Sequence, residues 1–140
     1  MTINERRVVV TGMAGLSPIG QDWNAVRAAL EGHRSGVRRI AEWERIDGMV
    51  SWLGAPVEDF VQPPHYSRKA LRTMGRVAML AVRATELALA DAGLAGSPRL
   101  ASGDVGVAYG STIGSPPDAV DFALMLERHT TRGVNGGLFG

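Results

Sequence analysis

Apolar residues follow two patterns along this chain. One is the short run without alternation. Val8, Val9 and Val10 follow two arginines and precede Thr11-Gly12. A β-branched run of this kind predicts a strand buried on both faces, as in a parallel sheet. Val105 to Tyr109, closed by Gly110, predicts a second strand. The other pattern is helical. Val77, Leu80, Ala81, Ala84, Leu87 and Ala88 recur at intervals of three and four, and Gly93 closes the run. Trp23, Val26 and Leu30 share one side of a shorter helix that Asp22 can cap and Gly32 can end. Ser115, Pro116 and Asp118 suit the cap, first and third positions of another helix, carrying Val120, Ala123 and Leu124.

Residues 33–66 follow neither period. They hold Trp43, Trp52, Pro56, Pro63 and Pro64, and one short strand is expected near Met49 to Leu53. An excursion of this length is uncommon inside a compact domain and is usually functional. Asn135 to Gly140 is glycine-rich and predicts a flexible stretch with no terminating element. The order strand, helix, excursion, helix, strand, helix implies an α/β fold with a parallel sheet. Two such strands have few ways to cover both faces. The 140 residues are therefore expected to form part of a domain, and to aggregate or stay partly folded when alone.

Composition narrows the chemistry. Fifteen basic and fourteen acidic residues leave a net charge of +1, which gives no global case for nucleic acid or an anionic membrane. The polar start and the interrupted apolar runs predict neither a signal segment nor a membrane span. The chain has no cysteine. That excludes disulfides, thiolate metal ligands and a cysteine nucleophile within these residues, and fits a cytoplasmic protein. His33, His65 and His129 show no ligand spacing and read as solvated loop residues, so no metal site is expected.

Three segments remain as candidates. Glycines at 12, 15 and 20 follow the first predicted strand, but their spacing is not G-x-G-x-x-G and no phosphate-loop lysine follows. A tight strand-to-helix connection explains them better than a cofactor site. Arg68, Lys69, Arg72 and Arg76 crowd the expected start of the long helix, with Arg68, Arg72 and Arg76 four residues apart. Cations there oppose the helix dipole, which argues for a role in gripping an acidic partner or a phosphate. A solvated helix end is the plainer alternative. Gly110-Ser111-Thr112-Ile113-Gly114-Ser115 follows the second strand at its carboxyl end, where ligands gather in open α/β sheets, or is simply a turn.

Four segments in order resemble one family. They are Arg7 to Gly12 with Leu16 to Gly20, Ser67-Arg68-Lys69 with Arg72 and Met74, Leu89 to Leu94, and Val105 to Val107 leading into Gly110 to Gly114. Over about residues 6–115 they resemble the β-ketoacyl synthases of the thiolase fold, while residues 116–140 match that pattern poorly. The resemblance implies one partial domain over 1–140, within the amino-terminal half of an α/β/α/β/α layered subunit. It implies a β-ketoacyl-acyl-carrier-protein synthase that condenses acyl and malonyl thioesters with loss of carbon dioxide, in fatty-acid or polyketide-type synthesis. The expected partners are acyl carrier protein and a second subunit, in a homodimer or with a ketosynthase, and no cofactor is implied. The family's cysteine, histidines and lysine lie beyond the matched part, so no catalytic residue is carried over and the segment alone is expected to be inactive. Lys69 and Arg72 match positions that contact carrier protein, and Ile113 matches a position lining the acyl pocket. Gly75 departs from the pattern, since relatives often carry an acidic residue there. The spacing of Gly12-Met13-Ala14-Gly15 departs as well, which leaves room for a specialised branch. Two alternatives stay open: a non-catalytic partner subunit, chain-length-factor-like or truncated, and a nucleotide-binding oxidoreductase fragment.

Overall fold

The computed structural model describes residues 7–134; the glycine-rich run 135–140 lies outside them. Helix α1 spans Trp23–Glu31. The Asp22 carboxylate accepts a hydrogen bond from the Ala25 N–H at 2.9 Å, closing an amino end that would otherwise lack partners. Gly32 is the carboxyl cap, as expected, but the left-handed residue is His33, at φ 51°. The next element is a pair of two-residue strands, β1 (Arg38–Arg39) and β2 (Leu53–Gly54), antiparallel with Arg38 opposite Gly54. A 3-10 turn, Ala41–Arg45, lies between them. Gly54 is small for a reason: a β-carbon there would lie 3.0 Å from both Ile40 and the Trp43 ring.

The long helical pattern divides into two helices. The short α2 covers Arg68–Leu71, capped by Ser67, whose hydroxyl accepts from the Ala70 N–H at 3.1 Å. The chain then turns, and α3 runs Arg76–Asp91 from a Gly75 cap. Gly93 takes φ 68°, its N–H donates to the Ala90 carbonyl, and the Leu94 N–H donates back to the Leu89 carbonyl at 2.8 Å. This is the left-handed glycine stop that the sequence predicted. A second 3-10 turn covers Pro98–Ala101. Helix α4 spans Pro116–Arg128 and ends at His129, also left-handed at φ 50°.

Two long-range ties organise these pieces. The Met13 N–H donates to the Asp91 carboxylate at 2.8 Å, and a β-carbon on Gly12 would lie 2.7 Å from the Ala88 carbonyl oxygen. The opening glycine turn is thus packed directly on the end of α3. The strap 57–59 is held from three directions. Gln21 donates to the Asp59 carbonyl at 2.7 Å, Arg38 pairs with Glu58, and Arg76 donates to the Val57 carbonyl. Within the excursion, this strap and the β1–β2 pair have defined attachments.

The strand expectations need correction. Neither Val8 to Val10 nor Val105 to Tyr109 joins a ladder, and the only paired sheet among the described residues is antiparallel and lies within the excursion. The expected strand near Met49 to Leu53 is reduced to Leu53–Gly54. A strand requires a hydrogen-bonding neighbour, and neither valine run has one here. Their side chains are open, with Val8 95% and Val107 84% exposed. Ala29 and Pro63 are the only buried residues among those described. The chain exposes 11623 Å² at a mass of 14.9 kDa, where a folded monomer of that mass exposes about 7,000 Å². No helix among the described residues is long and apolar enough to cross a membrane.

Candidate functional site

The basic cluster does not form one helical face. Arg68 and Lys69 lie in α2, Arg72 caps its end, and Arg76 opens α3 after the turn. The expected i, i+4, i+8 stripe is broken because Gly75 is extended, at φ −70° and ψ 170°. Arg76 is also occupied by the Val57 carbonyl. That leaves Arg68, Lys69 and Arg72 exposed, and none of the ion pairs among the described residues involves them. By contrast Arg27, Arg38, Arg39 and Arg83 each hold a carboxylate. Three unpaired cations on one capped turn present an anion-binding surface at no cost in broken pairs.

A polar cluster fixes the approach to this turn, and no spacing along the chain announced it. His65 Nε2 lies 3.0 Å from Glu86 Oε1, while Arg83 donates to Glu86 Oε2 at 3.2 Å. His65 is therefore partnered with a carboxylate twenty-one residues away rather than simply solvated. The other two histidines, His33 and His129, occupy left-handed helix ends. Burial opposes the charge on Glu86, but hydrogen bonds from His65 and Arg83, with the Tyr66 hydroxyl close by, outweigh it and hold its pKa below the usual carboxylate range. The neighbouring Tyr66 hydroxyl is shielded from solvent and makes no well-formed hydrogen bond. Burial first, and the Glu86 carboxylate second, push its pKa up.

The second candidate segment lies at the entrance of α4. The Ser111 hydroxyl accepts from the Gly114 N–H at 3.1 Å, and Gly114 takes φ 72°. This tight turn holds Ile113 outward, 74% exposed. It meets the basic segment at one place. Where Gly75 would carry a β-carbon, the Ser115 hydroxyl already sits, with the Ser115 β-carbon at 2.8 Å and Asp118 Oδ2 at 3.0 Å. The fold thus brings the segments bearing Lys69, Arg72 and Ile113 together at Gly75.

The family model for the β-ketoacyl synthase amino-terminal domain matches residues 5–137. The chain belongs to the β-ketoacyl synthase family. A crystal structure of a β-ketoacyl synthase from Burkholderia phymatum STM815 superposes with a TM-score of 0.89 at 44% identity, covering 96% of this chain and 33% of that one. The ishigamide ketosynthase/chain length factor superposes with a TM-score of 0.65 at 30% identity, covering the same 96% and 33%. The 3-oxoacyl-[acyl-carrier-protein] synthase 2 of Vibrio harveyi is 36% identical over 112 residues, 80% of this chain and 26% of the relative. Nodulation protein E of Rhizobium sp. strain N33 is 36% identical over 91 residues, 64% of this chain and 22% of the relative. The chain thus spans about a quarter of the curated synthase's length and a third of the solved chains. The thiolase-like α/β assignment stands on this likeness. The dinucleotide alternative gives way to it, and Gly12 packs against α3 rather than facing a ligand.

Proposed function

We propose that this chain is the carrier-docking, amino-terminal part of a β-ketoacyl-acyl-carrier-protein synthase. The observation that carries the reading is the set of three exposed cations, Arg68, Lys69 and Arg72, left without ion pairs on a capped turn. An acidic carrier protein is the partner whose charge complements them. Ile113, outward on the neighbouring turn, would face the acyl chain once the subunit is complete. Condensation needs a nucleophile for the acyl group and stabilisation of the enolate formed on decarboxylation. This chain has no cysteine, so that nucleophile would come from outside these 140 residues. The setting is cytoplasmic, with a second subunit completing the enzyme.

The test is a graft in which residues 7–134 replace the equivalent segment of the Burkholderia phymatum synthase. The graft is expected to condense acyl and malonyl carrier-protein thioesters. Lys69→Glu with Arg72→Glu should raise KM for carrier-bound substrates about tenfold or more, by an amount that shrinks as salt rises. The loss should be larger than for carrier-free thioesters; equal losses would overturn the docking role. Ile113→Phe should shorten the products, and an unchanged product profile would remove Ile113 from the pocket.

A second reading is a non-catalytic partner subunit, favoured by the likeness to the ishigamide ketosynthase/chain length factor. It is decided by the residue in the nucleophile position of the complete protein. A cysteine there supports the synthase; any other residue supports the partner subunit.

A further inference from the structure

Helix α4 opens on a serine that caps nothing. Asp22, Ser67 and Ser97 each turn a side-chain oxygen onto a backbone N–H of the element they begin. Ser115 holds the same position in α4 but makes no such bond. Its hydroxyl lies instead against Gly75, the cap residue of α3. Serine is a favoured cap residue, and here its side chain is spent on the space beside Gly75 instead.

The charges at this junction point the same way. Helix α3 has no acidic residue in its first turn and begins with Arg76, an unfavourable sign for the positive end of a helix dipole. The nearby carboxylate comes from α4. Asp118 Oδ2 lies 3.0 Å from the place where a Gly75 β-carbon would stand. Asp118 is also in the first turn of its own helix, so one carboxylate lies near two amino ends. The φ of −70° and ψ of 170° at Gly75 suit any residue. Glycine is required there by space alone.

On either side of this contact stand the two segments proposed above to act on substrate. Lys69 and Arg72 precede Gly75 by six and three residues, and Ile113 precedes Ser115 by two. We propose that Gly75 is a positioning residue, the joint through which the carrier-docking turn sets the place of the Ile113 turn. This inference rests on the docking reading for its consequence, though not for the contact itself. It also implies that an acidic residue at 75 is worse here than a neutral one. Asp118 already holds that space, and two carboxylates would compete for it.

The experiment compares Gly75→Ala, Gly75→Asp and the double variant Gly75→Ala with Ser115→Gly in the graft. Hydrogen exchange at the Asp118 and Ala119 amides, both bonded to the Ser115 carbonyl, reads the contact directly. Gly75→Ala should speed that exchange by about fivefold or more, Gly75→Asp should speed it further, and the double variant should return it towards the parent. In the graft, Gly75→Ala should lower kcat about tenfold and shift product length, with the double variant recovering both. Equal exchange in parent and Gly75→Ala would overturn the joint. Faster exchange with unchanged product length and kcat would overturn its positioning role. Unchanged carrier affinity in the Lys69→Glu, Arg72→Glu graft would overturn the docking reading alone, leaving the exchange result to decide the contact.

Discussion

The stretch from Ser67 to Leu94 and the two valine runs, Val8 to Val10 and Val105 to Tyr109, are all rich in apolar residues, yet they end in opposite conditions. The helical stretch makes its backbone hydrogen bonds mostly within itself, between the Ser67 cap and the Leu94 stop. Its apolar side chains are still only half covered; no residue of α3 is buried. The valine runs reach neither state. They stay outside any ladder, and their side chains face solvent. Helical hydrogen bonds form between near neighbours, whereas a strand borrows its partner from elsewhere. A segment of a layered α/β fold therefore retains its helices sooner than its sheet.

A charge placed in a valine run should separate the two regions most strongly. Val107→Lys should cost less than about 0.5 kcal/mol in this chain, where the side chain is already open. In the graft, where a neighbouring strand can cover it, the same change should cost about 3 kcal/mol or more. Urea titration of both proteins checks it, and equal costs would mean that the run is not a strand in the complete subunit. A smaller effect is expected at the junction of the two regions. Gly12→Val drives a side chain into the Ala88 carbonyl and the Ala92 backbone, and should destabilise the chain by about 2 kcal/mol. A neutral result would detach the opening turn from α3.

The smallest effect concerns pH. The folded pKa of Glu86 is depressed, so its contribution to stability is present above its unfolded value and is lost as pH falls through the folded one. Acid titration of the parent should therefore show a loss that Glu86→Gln lacks. Matching acid profiles for the two would show that the His65–Glu86–Arg83 cluster does not tie the basic turn to α3.

Legibility in the sequence followed the range of the forces involved. Asp22, three residues from the N–H it caps, and Gly93, two residues past the end of α3, were readable because their partners are close by. The four family segments were readable for a different reason: their order along the chain is itself the signal, and the superposition with the Burkholderia phymatum synthase agrees with it. The basic residues Arg68, Lys69 and Arg72 were visible as a cluster, but not as a cluster cut by a turn, because Gly75 has ordinary dihedral angles and its need for space comes from Ser115, forty residues later.

Residue order and local spacing were enough for the helical segments, the Asp22 cap, the Gly93 stop and the family. Each of these depends on hydrogen bonds spanning a few residues or on residue order. Tertiary structure alone decided that Arg76 would be taken by the Val57 carbonyl, that His65 would meet Glu86, and that the turns bearing Lys69 and Ile113 would touch through Gly75. Those contacts join residues about twenty to forty positions apart, where no local periodicity carries information. The valine runs belong with them: their pattern marks them as strand-forming, and only a neighbour in space can make them strands.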